Sequence, residues 1–356
     1  MDVDKQVNGE TAMAQFRVAE AQPFVRNLFT PNHLIYWTDF LASIGLAWSL
    51  FYLTLQLNDN RLLQGACCLI SSFAFLRAIL FIHELAHRKP GTFKLFRFVW
   101  NLLCGMPMMI PSYSYSRVHY DHHAQKQYGQ STDGEYLPFA TMSPIHIVIY
   151  LLTVVVLPFA FPLRYVIVTP LSFLHPKIRK LVWERASSLT IDFNYVRPAP
   201  SKRDDGSWFF QELGATAFGW AYVYLLFTGV ISLQVVVVWY MVVFLGFVLN
   251  TLRTLGAHAY RNPGNVPMTL SEQFHDSVDI PGDPITTGIW APVGLRYHAT
   301  HHLFPTMPYH SLGTAYRRLK TELPDNRAFL SSTRKGLFDA IRRLWSEARA
   351  SQKNNS

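Results

Sequence analysis

Apolar positions in this chain gather into a few long runs, and those runs set the first expectations. Residues 40–57 are apolar and uncharged and follow Ile35, Tyr36 and Trp37; residues 62–82 are a second apolar run, set off by Asn58-Asp59-Asn60-Arg61. Each is long enough to cross a bilayer core as a helix, so the pair predicts a helical hairpin with spans at about 38–57 and 62–82. Arg77 lies near the end of the second run, where a long side chain can reach water. From Leu213 to Leu252 there is no Asp, Glu, Lys or Arg. That stretch is about 60 Å of helix, two crossings of a core roughly 30 Å thick. A second hairpin is expected, with spans near 214–231 and 234–252 and a turn near Gly229–Gln234.

Residues 136–163 are also uncharged, but Pro158 and Pro162 interrupt the run and Pro170 follows it. Each proline removes a backbone donor and kinks a helix. Residues 98–112 are too short to span and hold Gly105, Pro107 and Pro111. Charge placement bears on both segments. The formal charge is +9, and residues 171–207 and 311–356 together account for it, with seven Lys/Arg against four Asp/Glu and ten against four. Basic segments stay cytosolic. A single crossing by 136–163 would put 171–207 outside and carry the basic tail out with it, so 136–163 and 98–112 are expected to be semi-embedded. The fold class is then all-α integral membrane: four transmembrane helices in two hairpins, both termini cytosolic, and a cytosolic helical cap. The expected organisation is a cytosolic segment at 1–33, a membrane domain at 34–320 and a basic tail at 321–356. No cleavable signal peptide is read in the first residues.

Half of the residues are apolar and 15% are charged, against about 25% in ordinary soluble domains. This composition excludes a disordered chain, and a basic face beside anionic lipid accounts for the charge without nucleic acid. Cys67, Cys68 and Cys104 form neither a disulfide framework nor a zinc ribbon.

Eight of the fourteen histidines fall in three clusters: His83-Glu84-Leu85-Ala86-His87, His119-Tyr120-Asp121-His122-His123 and His298-Ala299-Thr300-His301-His302. Residues three or four apart share a helix face, so His83 and His87 can point at one metal. In each of the other clusters the outer His and one of the adjacent pair can do the same, and the remaining His, turned by about 100°, reaches a second ion. Eight imidazoles suit two ions. All three clusters are expected on the cytosolic side, and His258, six residues beyond the long uncharged run, is placed as a ninth ligand. Imidazole accepts zinc, copper, iron and nickel, so ligand type leaves the metal open. The first cluster also spells H-E-x-x-H, the pattern of a zinc metallopeptidase in which Glu84 is the general base. A catalytic zinc takes three protein ligands, which leaves most of the other histidines idle. A non-catalytic haem or metal carrier is a further alternative, although the clusters lie beyond the span ends.

In this order and among these spans, the H-x3-H, H-x2-HH and H-x2-HH motifs resemble the membrane fatty acid desaturase/hydroxylase superfamily. The likeness covers roughly residues 35–320 and is most specific from His298 through His310 to about Leu319; Asp276-Ser277 also looks familial. The resemblance implies two irons held by His83, His87, His119, His122, His123, His258, His298, His301 and His302, with O2 as co-substrate. It implies oxidation of an unactivated methylene of a long acyl chain, giving a cis double bond. The alternative product is an alcohol or ketone on a lipid or carotenoid, made by a hydroxylase or ketolase. The animal-type acyl-CoA desaturases carry an Asn four residues before the ninth His, where this chain has Thr254.

An alkyl C–H bond offers acid–base groups nothing to act on, so the cofactor carries the hard chemistry and the protein supplies a dry slot. Phe98, Trp100, Met106, Met108 and Met109 are candidates for its walls. Glu84, Asp121 and Asp276 are candidates to sit behind ligand imidazoles and orient them. No fused haem module is read: His175-Pro176 is followed by Lys177-Ile178 rather than by two glycines. The expected partners are a long-chain acyl lipid, acyl-CoA or acyl-carrier-protein substrate, and a separate ferredoxin, rubredoxin or cytochrome donor. The basic tail, with Arg317, Arg318, Lys320, Arg342 and Arg343, suits anionic lipid or an acidic partner. The expected location is a bacterial plasma membrane or the endoplasmic reticulum.

Overall fold

The structure is a computed structural model that describes residues 18–354 except 90, 203, 205 and 265. Most of the expected N-terminal segment, residues 1–17, lies outside the described residues, as do the last two residues of the tail. The principal helices are α1 (Val18–Val25), α2 (His33–Gln56), α3 (Arg61–Ala86), α4 (Lys94–Trp100), α5 (Tyr113–His123), α6 (Ile145–Leu152) and α7 (Pro176–Ala186). They continue with α8 (Trp208–Phe227), α9 (Leu233–Leu255), α10 (Leu270–Asp276), α11 (His298–Leu303), α12 (Tyr309–Glu322) and α13 (Leu337–Asn354). Among the described residues there is no strand, only isolated backbone bridges. The chain packs into two units, each assembled from segments distant in sequence. The hairpin unit is His33–Asp121 with Ile149–Thr251; the tail unit is the residues up to Asn32, His122–Val148 and Leu252–Ser356.

In the hairpin unit, α2 and α3 are apolar along nearly their whole length. Asn60 caps α3 by accepting from the Leu63 amide at 3.0 Å, which satisfies one of the donors a helix start leaves open. Ser71 donates to the Ala47 carbonyl at 2.9 Å and Gln64 to Thr54 at 2.9 Å, so polar atoms inside the hairpin find partners. Arg77 does more than reach water: it forms a two-pronged ion pair with Asp39, with N–O distances of 2.6 and 2.5 Å. The chain widens just after α4, where the Met106 amide bonds back five residues to Asn101 at 2.7 Å and Ile110 to Gly105 at 2.6 Å. The Leu103 carbonyl in this stretch accepts from Trp48 at 2.9 Å. Gly219 of α8 lies against Val166, where a Cβ would stand 2.8 Å from the valine methyl.

Among the described residues, three helices are long and apolar enough to cross a membrane: α2, α3 and α9. A bent pair, 145–155 and 157–172, meets at 55° and is the candidate for a broken span or a re-entrant dip, with its bend in the proline-interrupted stretch. The expected span at 214–231 falls on α8, which is not among the helices that are both long and apolar enough. α8 begins earlier than the uncharged run because Glu212, inside its first turn and a half, is buried by two arginines. Arg164 donates to Glu212 at 2.7 Å and Arg179 at 3.0 Å. The turn after α8 has Gly229 at φ +73°, a conformation that suits glycine, and α9 resumes at Leu233.

The tail unit is built around a small core in which Phe274, Tyr297, Phe304, Leu312, Leu319 and Phe329 pack with Ala21 and Val25 of α1. α10 starts with a reciprocal cap between Thr269 and Glu272. Short backbone links align the segments that carry histidines. Ala259 donates to the Asp276 carbonyl at 2.5 Å and Val278 to Ala257 at 2.8 Å, which zips His258 alongside Ser277. Asp279 anchors α11 by accepting from the Thr300 amide at 3.1 Å and its hydroxyl at 2.6 Å.

Candidate metal centre

All six residues of α11 are buried, which aims three imidazoles into protein rather than water. In the tail unit His122, His258, His298 and His302 each offer a ring nitrogen, and these four atoms lie within 4.8 Å of one another. The His258 and His298 Nε2 atoms are 2.9 Å apart, and those of His302 and His298 are 3.2 Å apart. A metal–nitrogen bond of about 2.0–2.1 Å sets neighbouring ligand nitrogens roughly 3 Å apart, so the tetrad fits a metal ion. Burial and the neighbouring imidazoles hold His258 and His302 well below the ordinary histidine range, so both rings are neutral and keep a lone pair for a metal.

Two buried acids fix the ring orientation behind this tetrad. Asp133, fully buried, lies 2.9 Å from His122 Nδ1 and also accepts from the Gly129 and Glu135 amides at 2.9 Å each. A carboxylate there assigns the proton to Nδ1 and leaves Nε2 as the donor atom. Burial opposes the charged form of His122, but the charge and hydrogen bond of Asp133 outweigh it and raise its pKa. The second acid acts through a tyrosine. Tyr128 donates its hydroxyl proton to Asp276 at 3.0 Å, so the 2.9 Å contact between that hydroxyl and His258 Nδ1 has the imidazole donating. Tyr136 donates to the same Asp276 oxygen at 2.9 Å, and the Arg261 amide to the other at 3.1 Å.

The tail unit also pairs His123 with His301, whose Nε2 atoms are 3.2 Å apart. In the hairpin unit His83, at the end of α3, His87, one residue past it, and His119 on α5 form a trio. Their ring centroids are 4.5–5.0 Å apart, and the Nε2 atoms of His87 and His119 are 2.7 Å apart. Tyr115 stacks on His119 at 4.7 Å, one turn earlier on α5.

A family model described as fatty acid desaturase matches residues 59–334. A ceramide hydroxylase of Caulobacter vibrioides (strain NA1000 / CB15N) is 37% identical over 335 residues, which cover 94% of this chain and 94% of that protein. The chain belongs to the fatty acid desaturase family. No solved structure matches it.

The other residues singled out in this desaturase-family chain have definite surroundings. Glu84 is buried, accepts from the Tyr36 hydroxyl and pairs with Arg88 at 3.2 Å. Asp121 is buried between Arg117 and Tyr195, each 3.1 Å away. Asp276 reaches His258 by way of Tyr128, as described. Trp100 is fully buried and donates to the Ala78 carbonyl at 2.8 Å. Met108 and Met109 are buried, Met109 at φ +57°, and Met106 packs on Gly214. Phe98 is 61% exposed, a position suited to lipid contact.

Sequence reasoning missed Asp133, Tyr128, Tyr136 and Asp279. Asp133 sits eleven residues after His122 in the turn Ser131-Thr132-Asp133-Gly134, and no helical spacing links the two. Asp279, three residues beyond Asp276, was in reach of that familial stretch but carried no spacing signal.

Proposed function

We propose that this chain is a membrane oxidoreductase that uses O2 and two histidine-held irons to hydroxylate a lipid of the ceramide class. The observation that carries this reading is the likeness to a ceramide hydroxylase along nearly the whole chain. The nine histidines are the ligand set: the tetrad serves one iron, the trio His83, His87 and His119 serves the other, and His123 and His301 complete the set. Iron bound there supplies the activation of O2 that an unactivated C–H bond requires. The protein's own groups do the rest. Asp133 holds the Nδ1 proton of His122, the Tyr128–Asp276 pair holds that of His258, and burial keeps bulk water from the rings.

The overall reaction consumes one C–H bond, one O2, two electrons and two protons, and yields an alcohol and one water. The electrons come from a separate carrier protein. Desaturation is the second reading, favoured by the description of the family model; with the same inputs it removes two hydrogens from adjacent carbons and releases two waters. We place the centre on the cytosolic side of a four-span protein, with α8 as the fourth span and the bent pair as a re-entrant segment.

The test is expression in a host of defined lipid composition that makes ceramide, followed by mass spectrometry of the lipids. A species with one added oxygen supports hydroxylation; a species lacking two hydrogens favours the second reading. His301→Ala is expected to abolish either product. No new species with the wild-type protein, in a host supplied with iron and an electron donor, contradicts both readings.

A further inference from the structure

Three buried tyrosines crowd the His258 side of the tetrad in the tail unit. Ring centroids run from His258 to Tyr128 at 5.8 Å, from Tyr128 to Tyr136 at 5.4 Å and from Tyr136 to Tyr260 at 5.3 Å. A phenol loses one electron more readily than most side chains, and it leaves a neutral radical only where the hydroxyl proton has somewhere to go. Kept in place, that proton makes the radical a cation, which burial disfavours.

What each hydroxyl touches separates the tyrosines. Tyr260 donates to the Thr254 carbonyl at 2.8 Å, which cannot keep a proton. In the hairpin unit Tyr36 and Tyr195 donate to the carboxylates of Glu84 and Asp121, but Arg88 at 3.2 Å and Arg117 at 3.1 Å hold those acids in their charged form. Tyr128 and Tyr136 donate to one oxygen of Asp276, at 3.0 and 2.9 Å. The other Asp276 oxygen accepts from the Arg261 amide at 3.1 Å, while the Arg261 guanidinium is turned to Glu347 at 2.7 and 2.6 Å. The hydrogen-bond partners of Asp276 are therefore neutral, and a buried carboxylate so placed gains by taking a proton. Of the pair, Tyr128 also meets a ligand imidazole, 2.9 Å from His258 Nδ1, whereas Tyr136 accepts from the Asn262 amide at 2.9 Å.

We propose that Tyr128 is a redox-active residue: when no substrate C–H bond is in place, it gives one electron to the oxidised centre at the tetrad and its hydroxyl proton to Asp276. This goes beyond hydroxylation and rests on the functional reading above, which supplies the oxidant through the reaction of reduced iron with O2. The Tyr128 O–H bond breaks, an O–H bond forms on Asp276, and a neutral tyrosyl radical is left beside a neutral carboxyl. Four electrons and four solvent protons take O2 to two waters; two electrons come from the irons, one from the carrier protein and one from Tyr128. The phenoxyl oxygen keeps both hydrogen bonds, one from His258 Nδ1 and one from the protonated Asp276, so only a hydrogen has to move. A later electron from the carrier, with the proton returned by Asp276, restores the tyrosine. The residue thus discharges an oxidant that would otherwise attack the ligand imidazoles.

The experiment uses the full-length protein in phosphatidylcholine nanodiscs without ceramide. It is loaded with two ferrous ions per chain, with one further ferrous ion as donor of the fourth electron. The sample is mixed with O2, frozen on the millisecond timescale and read by electron paramagnetic resonance, and iron oxidation is followed in the same samples by Mössbauer spectroscopy. Wild type is expected to show an organic radical whose spectrum narrows when the protein is grown on ring-deuterated tyrosine. Tyr128→Phe and Asp276→Asn are expected to give at least tenfold less radical per iron oxidised. Tyr316→Phe removes a buried hydroxyl of the same unit that meets Thr333 at 3.2 Å, and is expected to give as much radical as wild type. Wild type also carries a test of its own: iron beside Tyr128 should make the radical harder to saturate with microwave power than free tyrosyl. Oxidised iron with no radical, an undiminished yield in Tyr128→Phe or Asp276→Asn, or saturation like that of free tyrosyl overturns the proposal and leaves the functional reading standing. Bound ferrous iron that O2 does not oxidise refutes the functional reading, and the proposal falls with it.

Discussion

Asp133 and Tyr128 reach different imidazoles of the tetrad, and their loss has different signatures. Asp133→Asn replaces an obligate acceptor of the His122 Nδ1 proton with an amide that can turn its donor toward the ring. Metal affinity is expected to fall by about 10–100-fold, read as iron retained after dialysis against a chelator; full retention would argue against an orienting role. Tyr128→Phe takes from His258 Nδ1 its 2.9 Å partner, leaving the Ser277 hydroxyl at 3.4 Å, and takes one of the two tyrosine donors from an Asp276 oxygen that Tyr136 still supplies. The expected cost is about 1–3 kcal/mol, seen as a lower thermal midpoint in detergent. Asp279 gives a pH signature. Burial pushes its carboxyl up to about 7 while it holds Thr300. Because its folded pKa lies above the unfolded one, the native state keeps a proton that the unfolded chain has released. Stability from this group is therefore present below about pH 4 and lost as pH rises through about 7, by at most ~4 kcal/mol. Asp279→Asn removes the titration, so the difference between variant and wild type should change across that window and stay flat above it. A difference that is constant with pH would contradict the assignment.

At the scale of elements, the apolar runs announced α2, α3 and α9 because a span must be long and uncharged, and that requirement is written directly in the sequence. The start of α8 was not legible. Glu212 looked like the end of an apolar run, whereas it lies inside the helix because Arg164 and Arg179, far away in sequence, neutralise it. The widened turn after α4 was equally hidden, since glycine and proline mark a break without stating its hydrogen-bond pattern. The histidine spacing was legible in part. It said that neighbours on a turn diverge, and α11 does turn His301 toward His123 while His298 and His302 join the tetrad. It could not supply the acids behind the rings, because Asp133 comes from a loop. The contact of Gly219 with Val166 yields a packing prediction. Gly219→Leu forces extra atoms into a filled site and is expected to cost about 1–3 kcal/mol, as a lower midpoint in detergent; an unchanged midpoint would mean that α8 is loosely held there.

For the whole molecule, the proposed topology makes a sidedness prediction. In a cysteine-free background, cysteines placed at Tyr120 and Ser346 should react with an impermeant reagent from the cytosolic face only. Cysteines at Asp59 and Val230, in the two hairpin turns, should react from the opposite face only. Labelling of Tyr120 and Ser346 positions from opposite faces would separate the histidine clusters across the bilayer. The prediction rests on charge placement, since the basic segments at 171–207 and 311–356 are both expected on the cytosolic side.

The central claim is that nine histidines hold two irons, and metal content tests it most directly. Full-length protein purified after growth with iron, analysed by inductively coupled plasma mass spectrometry alongside an absorbance spectrum, is predicted to carry two irons per chain and no haem band. His302→Ala should carry about half as much. One zinc per chain, a haem spectrum, or iron content indifferent to His302 would contradict the account.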